Sequence, residues 1–142
     1  MGPGVATTMA TAGPAIGLID TDILIDAERG RPDAASFLGS QFSANGPRIS
    51  SVSVMELMVG CRNRAELRGV RRFVASVRVI PIDVSISRAA ETLVETFSLG
   101  HGMEIPDALI AATALGHGLI LYTKNVRHFR MIPRLAVLRP YP

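Results

Sequence analysis

The segment that most constrains the fold of this chain is residues 16–26, in which two apolar runs flank a short polar cluster that begins with Asp20. An apolar run that ends at residues of the helix-capping type predicts a buried strand leading into a helix. Asp20 would then lie at the carboxyl end of the strand, where open α/β sheets place their ligand crevices. A carboxylate between apolar segments needs compensation by a cation, although Thr21 and Asp22 are equally typical of a plain helix cap.

The remainder of the chain alternates short apolar runs with amphipathic stretches. Their order predicts β-α-α-β-α-α-β-α-α-β-α-β, which favours a parallel sheet with helices on both faces. Pro81 indicates an edge position for the third strand, because proline cannot donate a ladder hydrogen bond. Ser51 or Ser53 is expected to cap the helix that carries Glu56. The predicted strands are residues 16–19, 48–51, 79–82, 119–122 and 137–138.

Length and composition indicate one domain with a substantial core. The chain has 142 residues, of which 48% are hydrophobic and 19% charged, so most segments must face an interior. Residues 1–15 are rich in Gly, Ala, Thr and Pro and are expected to be a flexible N-terminal extension or to precede the true start. Residues 16–142 form the predicted domain. The single Cys61 excludes an internal disulfide, fits a reducing compartment such as the cytoplasm, and is expected to be buried and inert.

Basic residues are concentrated toward the C-terminus. The net charge is only +3, but no acidic residue follows Asp107. A second basic group, formed by Arg64, Arg68, Arg71 and Arg72, shares one face of a predicted helix. Both groups favour binding of a polyanion, although a plain solvated surface stays open as the alternative. The basic residues after Asp107 include Lys124, Arg127, Arg130, Arg134 and Arg139.

Three carboxylates stand alone in apolar surroundings, namely Asp20, Glu56 and Asp107. Glu56 is the only charged residue between Arg48 and Arg62, on a helix that is apolar nearly all round. Such a helix is buried, so its glutamate would need a partner, a metal ion or a raised pKa; the alternative is a glutamate at the rim that faces water. Asp107 opens a small, apolar helix, where an aspartate also simply favours the helix dipole.

The crevice rule for α/β sheets would gather these three carboxylates on one side of the sheet. Oxygen ligands of this kind suit Mg²⁺ or Mn²⁺ rather than zinc. The chain has no glycine-rich phosphate loop and no G-x-S-x-G nucleophile elbow, which removes two other common kinds of site. An acidic cluster that binds a divalent ion beside a basic surface suggests phosphodiester hydrolysis, because the ion lowers the pKa of a bound water and stabilises charge on phosphate.

Four motifs in order resemble those of PIN-domain ribonucleases, in particular VapC-type toxins of prokaryotic toxin–antitoxin pairs. Residues 19–26 look like the opening motif of that family, and residues 106–114 are similar to its third motif. No single motif is decisive, but the ordered set is specific and covers residues 16–140. The second and closing motifs are matched by residues 50–57 with Gly60, and by residues 121–125 with 128–129 and 132–133.

The resemblance implies a three-layer α/β/α fold with a central, mainly parallel sheet. It also implies a cytoplasmic endoribonuclease that depends on Mg²⁺, with Mn²⁺ as a substitute, and that acts on RNA. Asp20, Glu56 and Asp107 map onto the family's acidic metal ligands and catalytic residues. Lys and Arg residues of the closing segment would hold the RNA backbone. A small antitoxin encoded beside the toxin would silence it, the protein would form a homodimer, and no membrane would be involved.

The chain departs from the family pattern near the closing motif. Many members carry a fourth acid there, whereas Asn125 and His128 occupy the corresponding places in this chain. Thr123 and Asn125 would still hold a water or the scissile phosphate through hydrogen bonds, and Asp22 would support them from the start of the first helix. Asp26, one turn further along, is expected to be a surface residue.

Two other functions remain possible interpretations. The missing fourth acid favours a PIN-like module that binds RNA or protein without cleaving it, since a fold does not fix a function. A phosphotransferase with Asp20 as its nucleophile would need a downstream acidic pair and a positioned lysine. Lys124 is the only lysine and no acid follows Asp107, which disfavours the phosphotransferase.

Overall fold

The computed structural model describes residues 15–142, so the extension expected at the N-terminus lies, apart from residue 15, outside the described residues. The order of strands and helices is the one that the sequence predicts. The strands are β1 Gly17–Ile19, β2 Arg48–Ser50, β3 Arg78–Ile80, β4 Ile120–Tyr122 and β5 Val137–Leu138. The helices are α1 Thr21–Glu28, α2 Pro32–Ser43, α3 Ser51–Val59, α4 Arg64–Ala75, α5 Val84–His101 and α6 Ile105–Gly116, with a 3₁₀ turn at Val126–His128.

The five strands form one sheet in the order β3-β2-β1-β4-β5, and every pair is parallel. This arrangement confirms the predicted parallel α/β fold. β3 lies at an edge and ends at Ile80, directly before Pro81, as the proline requires. β1 lies in the centre with β2 and β4 on its two sides, so the residues that follow these three strands meet at one edge of the sheet.

Helices cover both faces of the sheet. Successive residues of each strand point to opposite faces, so each strand contributes side chains to a core on either side. Leu18 and Leu121 belong to one core with side chains of α5 and α6, whereas Ile19 and Tyr122 belong to a second core with side chains of α1 and α2. The two cores give the three-layer α/β/α architecture that the family resemblance implies. Among residues 15–142 no helix combines the length and the apolar character needed to cross a membrane.

Four of the six helices, α1, α3, α4 and α5, begin at side chains that accept hydrogen bonds from their first backbone amides, whereas α2 and α6 carry a proline in the first turn instead. Ser50 caps α3 by accepting from the amide of Val52 at 3.0 Å, so the predicted cap at Ser51 or Ser53 is wrong. β2 ends one residue earlier than expected, and Ser50 keeps the extended backbone that a cap position needs. Cys61 is a free thiol, as expected, but is half-buried rather than buried.

Gly17 allows the central strands to pack closely. A Cβ at this position would lie 2.6 Å from the carbonyl oxygen of Ile120 and 2.6 Å from a ring carbon of Tyr122. We expect Gly17→Ala to lower the free energy of unfolding by about 1–3 kcal/mol, because the added methyl group forces the paired strands apart. Urea denaturation measures this change. Gly39→Ala is the matched control, since a Cβ at Gly39 meets nothing within 4 Å, and equal midpoints for the two variants would contradict the expected strain.

Candidate active site

Asp20 lies at the carboxyl end of β1 and is only 6% exposed. Its Oδ1 accepts from the amide of Thr21 at 2.8 Å, so the residue caps α1. Its Oδ2 accepts from the hydroxyl of Thr123, which follows β4, also at 2.8 Å. The backbone amide of Asp20 donates to the carbonyl of Tyr122 at 2.9 Å. Asp20 is therefore both a helix cap and a buried carboxylate at the sheet edge.

Asp22 lies near Asp20 in the first turn of α1 and accepts hydrogen bonds from the segment that follows β4. Its Oδ2 accepts from the amide of Lys124 at 3.0 Å and from Nδ2 of Asn125 at 3.1 Å, with the Thr123 hydroxyl 3.3 Å away. Its Oδ1 is buried and has no hydrogen-bond partner among residues 15–142. Leaving a buried oxygen without a hydrogen bond costs free energy, so an oxygen of this kind is expected to bind a water molecule, an ion or a ligand.

Glu56 is exposed rather than buried, so the expectation of a buried glutamate is wrong and the rim alternative holds. The helix that carries it leaves Met55 and Val59 uncovered, 53% and 86% exposed. The carboxylate is nevertheless held in place, since Oε1 accepts from the hydroxyl of Thr21 at 2.7 Å. That hydroxyl lies 2.8 Å from Oγ of Ser53, which links α1 to α3 next to Asp20.

Asp107 lies in the first turn of α6, as the sequence predicts, and is partly buried. Its Oδ2 is 3.2 Å from Nδ1 of His128, which lies in the 3₁₀ turn after β4. Burial raises the pKa of Asp107, the nearby imidazole of His128 lowers it, and the charges of Glu104 and Glu56 raise it further. The charge of Glu56 on α3 therefore reaches Asp107 on α6.

Burial and neighbouring charges make Asp20 the most perturbed acid of the site. Desolvation, with the charge of Asp22 second, raises the pKa of Asp20 to about 7, and the charge of Asp107 contributes in the same direction. The hydrogen bonds from Thr123 and Thr21 oppose the shift without cancelling it. Burial also raises the pKa of Asp22. Lys124 lowers the pKa of Asp22 and His128 lowers that of Asp107, but neither offsets the effect of burial, so the site favours binding of a further cation.

A polar cleft of about 770 Å³ opens beside these acids. It is lined by Glu104, Asp107 and Asn125 and by basic side chains, so an anionic chain in the cleft would pass beside Asp107. The basic residues that line it are His101, Lys124, Arg127, His128, Arg130 and Arg139.

The donor set suits a hard divalent cation, although not as a closed cage. Within residues 15–142 no group of three His, Cys, Asp or Glu side chains is arranged to hold a metal ion directly. Mg²⁺ does not require such a group, because it usually keeps several waters and takes only one or two carboxylates from the protein. The free Oδ1 of Asp22 and the raised pKa of Asp20 fit a cation at this edge. The ligand roles of Asp20, Glu56 and Asp107 stay a prediction.

Sequence reasoning considered Thr21 and Asp22 only as helix caps, a role that Asp20 takes instead, and it missed that the hydroxyl of Thr21 connects α1 to Glu56. The available signal was its position between Asp20 and Asp22 at the end of the first strand. The contact between His128 and Asp107 was also missed, because a separation of 21 residues leaves no local pattern.

The fold and the acidic edge define the class, a three-layer α/β/α domain of the PIN type. The family model described as PIN domain matches residues 17–135. The chain is 40% identical over 119 residues to "Ribonuclease VapC10" of Mycobacterium tuberculosis, covering 83% of this chain and 89% of that protein. It is 37% identical over 121 residues to "Ribonuclease VapC19" of the same organism, covering 83% and 95%.

A solved structure described as "Toxin-antitoxin complex from Klebsiella pneumoniae" is also similar. It superposes with a TM-score of 0.71 at 34% identity and covers 88% of this chain and 98% of that chain. The protein is therefore a member of the PIN domain family.

Proposed function

We propose that this protein is the endoribonuclease toxin of a type II toxin–antitoxin pair, acting in the cytoplasm. It hydrolyses RNA phosphodiester bonds with the help of Mg²⁺ or Mn²⁺. The observation that carries the proposal is the buried Asp20, with a pKa of about 7, beside an Asp22 whose Oδ1 has no partner among residues 15–142. Relatives named ribonucleases, at 37% and 40% identity, support the same activity.

Asp20 and Asp107 would bind the metal ion, and Glu56 would bind it or position the attacking water. When bound, the ion supplies Lewis-acid chemistry, since it lowers the pKa of water and neutralises charge on the phosphate. The hydroxyl of Thr123 orients Asp20, and the amide group of Asn125 orients Asp22. These donors are neutral, so they hold the carboxylates without cancelling their charge.

The polar cleft beside Asp107, with its basic lining residues, would bind the RNA backbone. Arg127 and Arg130 line it within the same cavity as Asp107, and guanidinium groups bind phosphate in a bidentate manner. Binding through phosphates is sequence-independent and falls with rising salt concentration.

The experiment that tests the proposed activity compares RNA cleavage by the intact chain in Mg²⁺, in Mn²⁺ and in EDTA. We expect cleavage with either ion and none with EDTA, because the carboxylates alone do not activate water. Equal cleavage in all three conditions would contradict a metal-dependent mechanism.

The second candidate function is a catalytically weak or inactive PIN-like module that binds RNA or protein. The absence of an acid at Asn125 and of a three-ligand cluster among residues 15–142 favours it. Such a module would bind RNA equally well in Mg²⁺ and in EDTA and would leave the RNA intact, so the cleavage experiment distinguishes the two.

The antitoxin would dock in an apolar groove between α1, α2 and α4. The groove has a volume of about 550 Å³ and carries the carboxylates of Glu28 and Glu66 among apolar lining residues. An amphipathic helix with basic residues beside its apolar face would complement it. The apolar lining includes Leu24, Leu38, Phe42, Leu57, Val70 and Phe73.

Filling the groove should release the toxin from inhibition. We expect Gly39→Leu to weaken binding of the small protein encoded beside this gene by about a hundredfold and to leave RNA cleavage unchanged, because the new side chain occupies space that is open around Gly39. Calorimetric titration measures the affinity. Gly100→Leu is the control, since a Cβ at Gly100 also meets nothing within 4 Å. Equal binding by both variants would show that the antitoxin docks elsewhere.

A homodimer is the second assembly that we propose. Met55 and Val59 of α3 lie beside Ile105 and Leu109 of α6 in one mostly apolar surface, which Glu56 also lines and of which Ile105 is 67% exposed. A second copy of the chain would cover this surface. Sedimentation at the mass of two chains supports the dimer, and the mass of one chain contradicts it.

A further inference from the structure

Asp26 is not the free surface residue that its position in α1 suggested. One oxygen, Oδ2, accepts from Nζ of Lys124 at 2.6 Å, from the hydroxyl of Tyr141 at 2.8 Å and from Nη1 of Arg31 at 3.3 Å. The side chain of Asp26 is 13% exposed and that of Lys124 is 24% exposed. Partial burial makes this ion pair stronger than one at the open surface.

The contacts of Asp26 close a ring through the C-terminal residues. The hydroxyl of Tyr141 donates to Asp26, and Arg139 donates from Nε to the carbonyl of Tyr141 at 3.0 Å. Nη1 of Arg139 then donates to the carbonyl of Lys124 at 2.7 Å, and Lys124 returns to Asp26 through its ammonium group. Arg31 packs against the outside of this hydrogen-bonded ring, since its guanidinium carbon lies 4.9 Å from the centre of the aromatic side chain of Tyr141.

The ring holds the segment 123–125, which supplies donors to the acidic edge. Thr123 donates to Asp20, and the amide of Lys124 and the side chain of Asn125 both donate to Asp22. In the described part of the chain, hydrogen bonds to other backbone groups hold this segment only at its two ends, where the amide of Thr123 donates to the carbonyl of Leu138 at 3.1 Å and the carbonyl of Asn125 accepts from the amide of His128 at 2.9 Å. Lys124 lies in its middle, with its backbone on Asp22 and its side chain on Asp26.

We propose that Asp26 is a positioning residue that, through Lys124 and the ring with Arg139 and Tyr141, holds the segment 123–125 against Asp20 and Asp22. The consequence for metal binding rests on the proposed function, whereas the positioning itself does not. The sequence had suggested that Lys124 binds RNA phosphates. Because the contact with Asp26 engages its ammonium group, Lys124 instead anchors the segment 123–125.

The first experiment measures hydrogen exchange of backbone amides in the intact chain without metal. In Asp26→Asn we expect the amides of Lys124 and Asn125 to exchange about tenfold faster or more, with α6 unchanged, because only the local opening becomes easier. Asp33→Asn, at an exposed aspartate of α2, should exchange like the wild type. Unchanged exchange at Lys124 and Asn125, or equal acceleration throughout residues 15–142, would overturn the proposal.

The second experiment is a calorimetric titration with Mn²⁺ and a double-mutant cycle. Asp26→Asn and Lys124→Met should each weaken Mn²⁺ binding by about fivefold, less than the 10–100-fold typical of residues that contact metal ligands directly. The double variant should bind like Asp26→Asn alone, because the contact that Lys124→Met removes is already lost in that variant. Fully additive losses, or wild-type affinity in Asp26→Asn, would overturn the proposal. A wild type that binds no Mn²⁺ contradicts the proposed function instead, and hydrogen exchange then decides the positioning separately.

Discussion

Replacing Asp20 with asparagine is expected to lower the rate of RNA cleavage by about a hundredfold or more while the chain remains folded. The amide keeps both contacts of the carboxylate, because its Oδ1 accepts from the amide of Thr21 and its Nδ2 can donate to the hydroxyl of Thr123. Only the negative charge is lost, and that charge is what a metal ion needs at the sheet edge. Cleavage of a labelled RNA under single-turnover conditions measures the effect.

Asp83→Asn is the matched control for this substitution. Asp83 caps α5 through a bond to the amide of Ile86 at 2.8 Å, as Asp20 caps α1, and asparagine serves as well as aspartate at a cap. Asp83→Asn should therefore cleave RNA at the wild-type rate. If Asp20→Asn is as active as this control, Asp20 serves only as a helix cap and not in cleavage.

The metal-free protein should lose stability as the pH rises. Burial raises the pKa of Asp20 from 3.8 to about 7, so between these values the folded chain holds a proton that the unfolded chain has released. The unfolded state then binds fewer protons, and the free energy of unfolding falls with rising pH until it levels off above about pH 7. One pKa unit corresponds to about 1.4 kcal/mol, so we expect a loss of about 2–3 kcal/mol between pH 5 and pH 8 in EDTA.

The same physics predicts that Asp20→Asn stabilises the protein at pH 8 while it slows cleavage. Urea denaturation in EDTA should show a shallower pH dependence for the variant and a higher free energy of unfolding at pH 8. Mg²⁺ should restore part of the stability of the wild type and have little effect on the variant. If the free energies of unfolding of the two proteins decrease in parallel between pH 5 and pH 8, the buried charge of Asp20 is not the source of the instability.

The fold was predictable because its signals are local. The strands lie in short, mostly apolar stretches that end at a polar or turn residue, and each helix begins at a capping side chain or carries a proline in its first turn. The segment 16–26 already contains β1, the capping Asp20 and the start of α1. The alternation of elements then limits the topology to a parallel sheet.

The environment of Glu56 was not predictable in the same way. An apolar helix is buried only if other elements cover all its sides, and the side of α3 that carries Met55 and Val59 is left open. Asp26 illustrates the same limit, because its partner Tyr141 is 115 residues away. Contacts between distant segments depend on the assembled fold, whereas the sequence pattern reports only the neighbourhood along the chain.

The most direct test of the account is a calorimetric titration of Mg²⁺ into metal-free protein at pH 6.5. Near this pH Asp20 still carries a proton in part of the molecules, so we predict that the ion binds with release of protons. We also predict that Asp20→Asn and Asp107→Asn lose this binding, whereas Asp83→Asn retains it. Undiminished binding by Asp20→Asn, with no protons released by the wild type, would contradict a cation site formed by these carboxylates.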